Sequence, residues 1–109
     1  MKVYVKTKED FIYIVDIDKD KTIHDLKSKL QKEVKIPYEE IVLHFVINGK
    51  TDKSINYNDK IHSKFVLSDL GDMHFYDGKI AKRCYNKYVL FDIGVTSNSL
   101  FLLNNIYNF

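Results

Sequence analysis

The chain has 109 residues, enough for one domain or for a small domain with an appendage. Its 17 basic and 15 acidic residues give a formal net charge of +2, which is too balanced to indicate nucleic acid as a partner. A single cysteine, Cys84, excludes an intramolecular disulfide, and no apolar run approaches the ~20 residues of a membrane-spanning helix. The alternating N-terminus does not resemble a signal peptide, so we expect an intracellular protein of the cytoplasm, the nucleus or both.

The first 17 residues predict two strands joined by a polar turn. In MKVYVKT the apolar residues Val3 and Val5 alternate with lysines and Tyr4, which is typical of a half-buried strand. The second run, FIYIVDI from Phe11, is rich in β-branched and aromatic residues. About three polar residues separate the two runs, so we predict a hairpin.

A single amphipathic helix is predicted from Thr22 to the residues before Pro37. The Thr22 hydroxyl is a helix cap, and Asp25 stands three residues later, where a carboxylate completes a capping box. One apolar stripe has helical spacing and is formed by Ile23, Leu26, Leu30 and Val34. The opposite face is expected to be solvated and carries Lys27, Lys29, Lys32 and Lys35. Pro37 must end the helix.

Two further strands are predicted after the helix. The first covers residues 41–47 and ends at the turn Asn48-Gly49. A polar stretch follows, anchored by Ile55 and Tyr57, and the last short strand includes Lys64 to Leu67. The predicted fold class is therefore α+β, with one helix across a mixed sheet of about four strands, which is a β-grasp arrangement.

These segments resemble the ubiquitin-like family over residues 1 to about 70. MKVYVKT is similar to its first strand, TIHDLKSKLQKEVKIP to its helix and Ile-Pro corner, and IVLHF to its third strand. The resemblance implies a ubiquitin-like domain over residues 1–70, with residues 71–109 as an extension. It also implies a non-catalytic module that binds a protein partner, as in proteasome, ubiquitin-pathway, splicing or scaffold assemblies.

The resemblance places a partner-binding patch on the outer face of the sheet, where this chain has Lys8 and His44 in place of leucine and isoleucine. An ordinary ubiquitin receptor would have to desolvate these groups, at about 1–3 kcal/mol each. We therefore expect a different partner, which contacts a face formed by Lys6, Lys8, Val42, His44, Lys50 and Val66. A solvated face without a partner is the alternative.

The alternation also turns Tyr4, Ile12 and Ile14 outward, as an apolar face larger than monomers usually expose. Residues 71–109 are a candidate to cover it, because 20 of these 39 residues are hydrophobic. They predict a hairpin around Asp77-Gly78, a strand in YVLFDIGV and a short apolar run at Leu100 to Leu103. Alternatives are a homodimer through this extension, or no role for the final SLFLLNNIYNF.

A second function is a covalent modifier made as a precursor. The resemblance implies that such a protein ends in a diglycine, because only glycine lets a narrow enzyme channel close around the backbone. The four glycines here are never adjacent, and processing after Gly71 would leave an acidic end. We therefore rank this alternative second.

The sequence gives little support for catalysis, and we expect neither an enzyme nor a cofactor or metal site. His24, His44, His62 and His74 lack the spacing of zinc ligands. The positive neighbours of Cys84 would favour its thiolate, but no base accompanies it. A nucleic-acid binder that uses Lys2, Lys6, Lys8 and Lys50 ranks last, because the net charge is near zero.

Overall fold

In a computed structural model of the chain, the structure describes residues 1–50, 73–76 and 79–106. These residues form an α+β fold with one α-helix and one mixed sheet, an arrangement compatible with a β-grasp. The elements are β1 (Lys2–Lys6), β2 (Ile12–Asp16), α1 (Ile23–Val34), β3 (Ile41–Lys50), β4 (Met73–Tyr76), β5 (Lys79–Cys84) and β6 (Ser99–Asn105).

The strands lie in the order β2-β1-β6-β3-β5-β4. The predicted N-terminal hairpin is confirmed, since β1 and β2 pair antiparallel with Lys2 opposite Asp16 and Lys6 opposite Ile12. The predicted pairing around Asp77-Gly78 is also confirmed in its strands, because β4 and β5 are antiparallel. The turn residues themselves lie outside the described residues.

One of the two central strands of the sheet is β6, which comes from the segment that we expected to be an extension. It pairs parallel with β1 and antiparallel with β3. Leu100 to Leu103 fill both faces of a central strand, which explains why they form an unbroken apolar run. The expectation that the described part of residues 71–109 covers β1 and β2 from outside is wrong, since β6 lies beside β1 within the sheet.

Residues on both sides of the expected boundary at residue 70 contribute to one core. Phe101 on β6 is fully buried and its ring lies 5.4 Å from that of Phe45 on β3. Val5, Leu26 and Leu43 belong to the same cluster. The predicted strand at Lys64 to Leu67, with the anchors Ile55 and Tyr57, lies outside the described residues.

The helix agrees with its sequence signals at both ends. The backbone N–H of Asp25 donates to the Thr22 hydroxyl, and the Asp25 carboxylate accepts from the Thr22 backbone, so the capping box is present. Ile23, Leu26 and Leu30 are buried against the sheet, with Val34 partly buried. The chain leaves the helix through Lys35 in the left-handed conformation and enters a short 3-10 helix, Tyr38–Glu40.

The loop between β5 and β6 closes over the first turn of α1. The predicted strand in YVLFDIGV is wrong, because only Val89 makes a bridge, to Thr22, before the 3-10 helix Phe91–Ile93. The backbone N–H of Ile23 donates to the Tyr88 carbonyl, and that of His24 donates to Asn86. These contacts satisfy helix N–H groups that have no partner within the helix.

No helix in the described part of the chain is long and apolar enough to cross a membrane.

Candidate functional site

The sheet face expected to bind a partner is largely buried. The side chains of Lys6, Val42 and His44 are only 2%, 4% and 0% exposed, so the expectation that they form an accessible surface is wrong. Lys8 is exposed. The side chain of Lys50 and all of Val66 lie outside what the structure describes.

The position of β6 explains part of this burial. His44 lies opposite Leu102 on β6 on one side and Arg83 on β5 on the other, so it sits in the middle of the sheet. The Lys6 ammonium lies 3.2 Å from the carboxylate of Asp10, in the turn of the first hairpin. Alternation along a strand predicts which face a side chain joins, but it does not predict whether that face is covered.

The three residues of the expected contact face differ in exposure. Tyr4 is buried and Ile12 is half-buried, whereas Ile14 is 58% exposed. Exposure therefore increases from β1 towards β2, the outermost strand on this side of the sheet.

The outer side of β2 is an open edge within the described part of the chain. Thr7 donates to the Phe11 carbonyl and Ile17 donates to the Met1 carbonyl, so odd-numbered residues from Phe11 to Ile17 bond to the neighbouring strand. In an antiparallel pair the intervening residues point their N–H and C=O groups the other way. Ile12, Ile14 and Asp16 therefore direct backbone donors and acceptors towards this edge.

A depression of about 290 Å³ runs between this edge and α1. It is lined by Ile14, Val15 and Asp16 from β2 and by Lys29, Lys32 and Glu33 from the helix. The Lys29 ammonium donates to the Asp16 carbonyl oxygen at 2.6 Å, so it occupies one of the edge acceptors. Both lysines are exposed.

A second depression, of about 380 Å³, lies where β2 begins and α1 ends. Its apolar lining consists of Phe11, Tyr13, Val34, Ile36 and Leu103. Lys8 and Glu9 lie on its polar side. We call the two depressions, with the open edge of β2 between them, the β2–α1 groove. Of the predicted partner-binding residues that the structure describes, only Lys8 lines this groove.

The outward-facing apolar residues of β2 were a sequence signal for the groove, but we expected them to be covered. Ile12 and Ile14 were expected to face outward and to be covered by residues 71–109. Because β6 inserts on the other side of β1, β2 remains the outermost strand and Ile14 remains exposed.

The residues considered for catalysis are held in ordinary structural surroundings. Burial raises the pKa of the Cys84 thiol to about 12, which opposes the thiolate expected from its positive neighbours. His24 is exposed, and its Nδ1 shares a hydrogen bond of 2.5 Å with the Tyr38 hydroxyl. Among the described residues no three His, Cys, Asp or Glu side chains cluster as metal ligands would.

Lys27 departs from the expected solvated helix face. Its side chain is buried, and its ammonium donates to Asn86 Oδ1 at 2.7 Å and lies 5.9 Å from the centre of the Tyr38 ring. Burial lowers the pKa of Lys27, and the nearby positive charge of Arg83 lowers it further. The helix periodicity gave no signal for this contact, because Asn86 belongs to a loop 59 positions away.

No protein-family model matches the chain, and no curated protein matches it significantly.

Proposed function

We propose that this chain is a ubiquitin-like, non-catalytic interaction module, and that its β2–α1 groove binds an extended segment of a partner protein. The resemblance of residues 1 to about 70 to the ubiquitin-like family and the β-grasp-compatible arrangement support the fold assignment. The groove replaces the sheet face around His44 as the proposed contact surface, because that face is buried.

The open edge of β2 carries the proposal. An added strand gains affinity from main-chain hydrogen bonds, and here the backbone groups of Ile12 and Ile14 point away from β1, where no described strand pairs with them. Beside them, Ile14 is 58% exposed and Phe11 is 66% exposed. Exposed apolar side chains next to unpaired backbone groups are what β-strand addition requires.

The lining of the groove specifies the chemistry of the partner. Apolar side chains fit the end of the groove near Tyr13 and Val34. The lining of the end near Lys29 and Lys32 has no net charge, because these two lysines are matched by Asp16 and Glu33. We therefore expect an extended segment of β-branched or aromatic residues, whose charged residues are not restricted to one sign. A partner from the ubiquitin–proteasome pathway remains a prediction from the family resemblance.

The covalent-modifier alternative is less compatible with the position of β6. Release of residues 72–109 would remove the strand between β1 and β3, and also β5 on the other side of β3. It would also remove Phe101 from the core. A modifier processed at Gly71 would thus lose three of the six described strands.

Selection from a displayed library of extended peptides tests the proposal. The intact protein should enrich peptides with consecutive β-branched or aromatic residues. Ile14→Pro should abolish this enrichment, because it removes an outward N–H without removing a bond to β1. Ile14→Lys should weaken it through the side chain, whereas the matched control Ile80→Lys, at another exposed strand isoleucine, should not.

Each variant is first compared with the intact protein by its amide NMR spectrum, so that misfolding is separated from lost binding. Enrichment that survives both Ile14 variants would contradict the groove as the contact surface. Isopeptide-linked chains that end at Gly71 in the endogenous protein would instead support the modifier.

A further inference from the structure

A pocket of about 270 Å³ opens next to β3 and β5, towards the edge of the sheet that is opposite to β2. Phe45 and Ile47 of β3 line it together with Tyr88 and Ile93 from the loop before β6. Phe45 and Cys84 form its buried part, whereas Ile47 is 38% exposed at the opening. β1, β6 and β3 separate it from β2, so it is distinct from the β2–α1 groove.

The volume of the pocket limits what can enter it. Pockets for cofactors and drug-sized ligands usually have about 300–1,000 Å³. This pocket is slightly smaller and mostly apolar, so it suits a single bulky side chain. A side chain anchored in an apolar pocket is a common centre of protein interfaces.

The charges around the pocket are mainly positive. Lys82 lies directly opposite Phe45 on the neighbouring strand, lines the pocket and is exposed. Arg83 also lines it, and Asp92 is the acidic residue of the lining. Lys27 approaches from the helix close enough for its charge to act on the Cys84 thiol.

The Lys27 ammonium increases the positive potential at this position. It donates a hydrogen bond to the neutral amide of Asn86, and Asn86 belongs to the loop that continues to Tyr88. A neutral amide does not compensate the charge of a buried ammonium, so a nearby anion would be attracted to it.

We propose that this β3–β5 pocket is a second docking site, which binds a bulky apolar side chain within an acidic segment of a partner protein. The apolar side chain contacts Phe45, Ile47 and Ile93, and the flanking carboxylates lie near Lys82 and Arg83. Charge complementarity selects the acidic segment, and the volume selects a single anchor residue.

NMR titration of the full chain with a capped peptide, Asp-Glu-Phe-Glu-Asp, tests the site. The methyl signals of Ile47 and Ile93 should shift at peptide concentrations up to about 10 mM, and binding should weaken as salt screens the charges. Two control peptides separate the contributions: Asn-Gln-Phe-Gln-Asn removes the charges and Asp-Glu-Ala-Glu-Asp removes the anchor. Each should bind at least about tenfold more weakly.

Two variants at exposed positions should weaken binding without disturbing the core: Ile47→Glu and the charge reversal Lys82→Glu. Ile14→Pro, which blocks the β2–α1 groove, should leave the Ile47 and Ile93 shifts unchanged. The proposal is overturned if these methyls do not shift, if the neutral peptide binds equally well, or if shifts occur only at Ile14. Shifts that depend on protein concentration without peptide would also overturn it, since they indicate a second copy as the occupant.

Discussion

The Lys29 ammonium donates to the Asp16 carbonyl oxygen over 2.6 Å at the open edge of β2. That carbonyl points away from β1, so Lys29 uses an acceptor that an added strand would otherwise take. Lysine side chains at sheet edges are one of the means by which proteins limit unwanted strand pairing. Lys29 therefore restricts the pairing of a second strand with this edge.

Replacing Lys29 with Met should increase self-association through β2. The change frees the Asp16 carbonyl and removes a charge from the edge. We expect dimers to form at about fivefold lower concentration, as for a hydrogen bond worth about 1 kcal/mol. Sedimentation velocity measures this, with Lys32→Met as the control that removes a positive charge from the groove but leaves the bond between Lys29 and Asp16 in place. Equal association of both variants would argue against a specific role of Lys29.

The capping box at the start of α1 should make stability depend on acid pH. The backbone N–H of Thr22 donates to the Asp25 carboxylate and lowers the pKa of Asp25 below its ordinary value of 3.8. Because the folded pKa is lowered, this contribution is present above the unfolded value and is lost as the pH falls through the folded value.

Asp25→Asn should therefore be less stable than the intact chain near pH 6. The difference should shrink as the pH falls below 3.8, the ordinary pKa of an aspartate carboxyl. Urea unfolding at a series of pH values measures it, and Asp20→Asn in the preceding loop controls for the general loss of a negative charge. A difference that is constant with pH would show that the carboxylate does not act through its charge.

Phe101 on β6 should be essential to the whole fold. Its ring is fully buried beside Phe45, so Phe101→Ala should lower the free energy of unfolding by about 3–5 kcal/mol. Phe91→Ala, which changes an exposed ring, should cost less than about 1 kcal/mol. Urea unfolding, monitored by the circular dichroism signal of the helix, should show one transition in both variants. A helix that persists after β6 is lost would instead support an independent domain over residues 1–70.

The helix could be predicted from the sequence because its signals are local. Thr22 and Asp25 are three residues apart, and the apolar stripe repeats every three or four residues. β6 could not be identified in the same way. A central strand with both faces buried has no alternation, so Leu100 to Leu103 could not be distinguished from a short apolar run elsewhere.

The candidate site was only partly predictable for a related reason. The alternation placed His44 and Ile14 correctly on faces of the sheet, but their exposure depends on strand order. His44 is central because β6 and β5 flank β3, and Ile14 is exposed because β2 has a neighbour on one side only within the described residues. Strand order arises from pairings between residues far apart in the sequence, which local patterns do not encode.

Amide hydrogen exchange tests the binding edge of β2 most directly. The N–H groups of Ile12 and Ile14 point to the open edge, whereas those of Tyr13 and Val15 bond to β1. In the free protein the even-numbered amides should exchange faster than the odd-numbered ones. A saturating peptide from the selection should slow exchange at Ile14 by at least about tenfold and leave the neighbouring Val15 nearly unchanged. Bound peptide with unchanged exchange at both Ile12 and Ile14 would contradict strand addition at this edge.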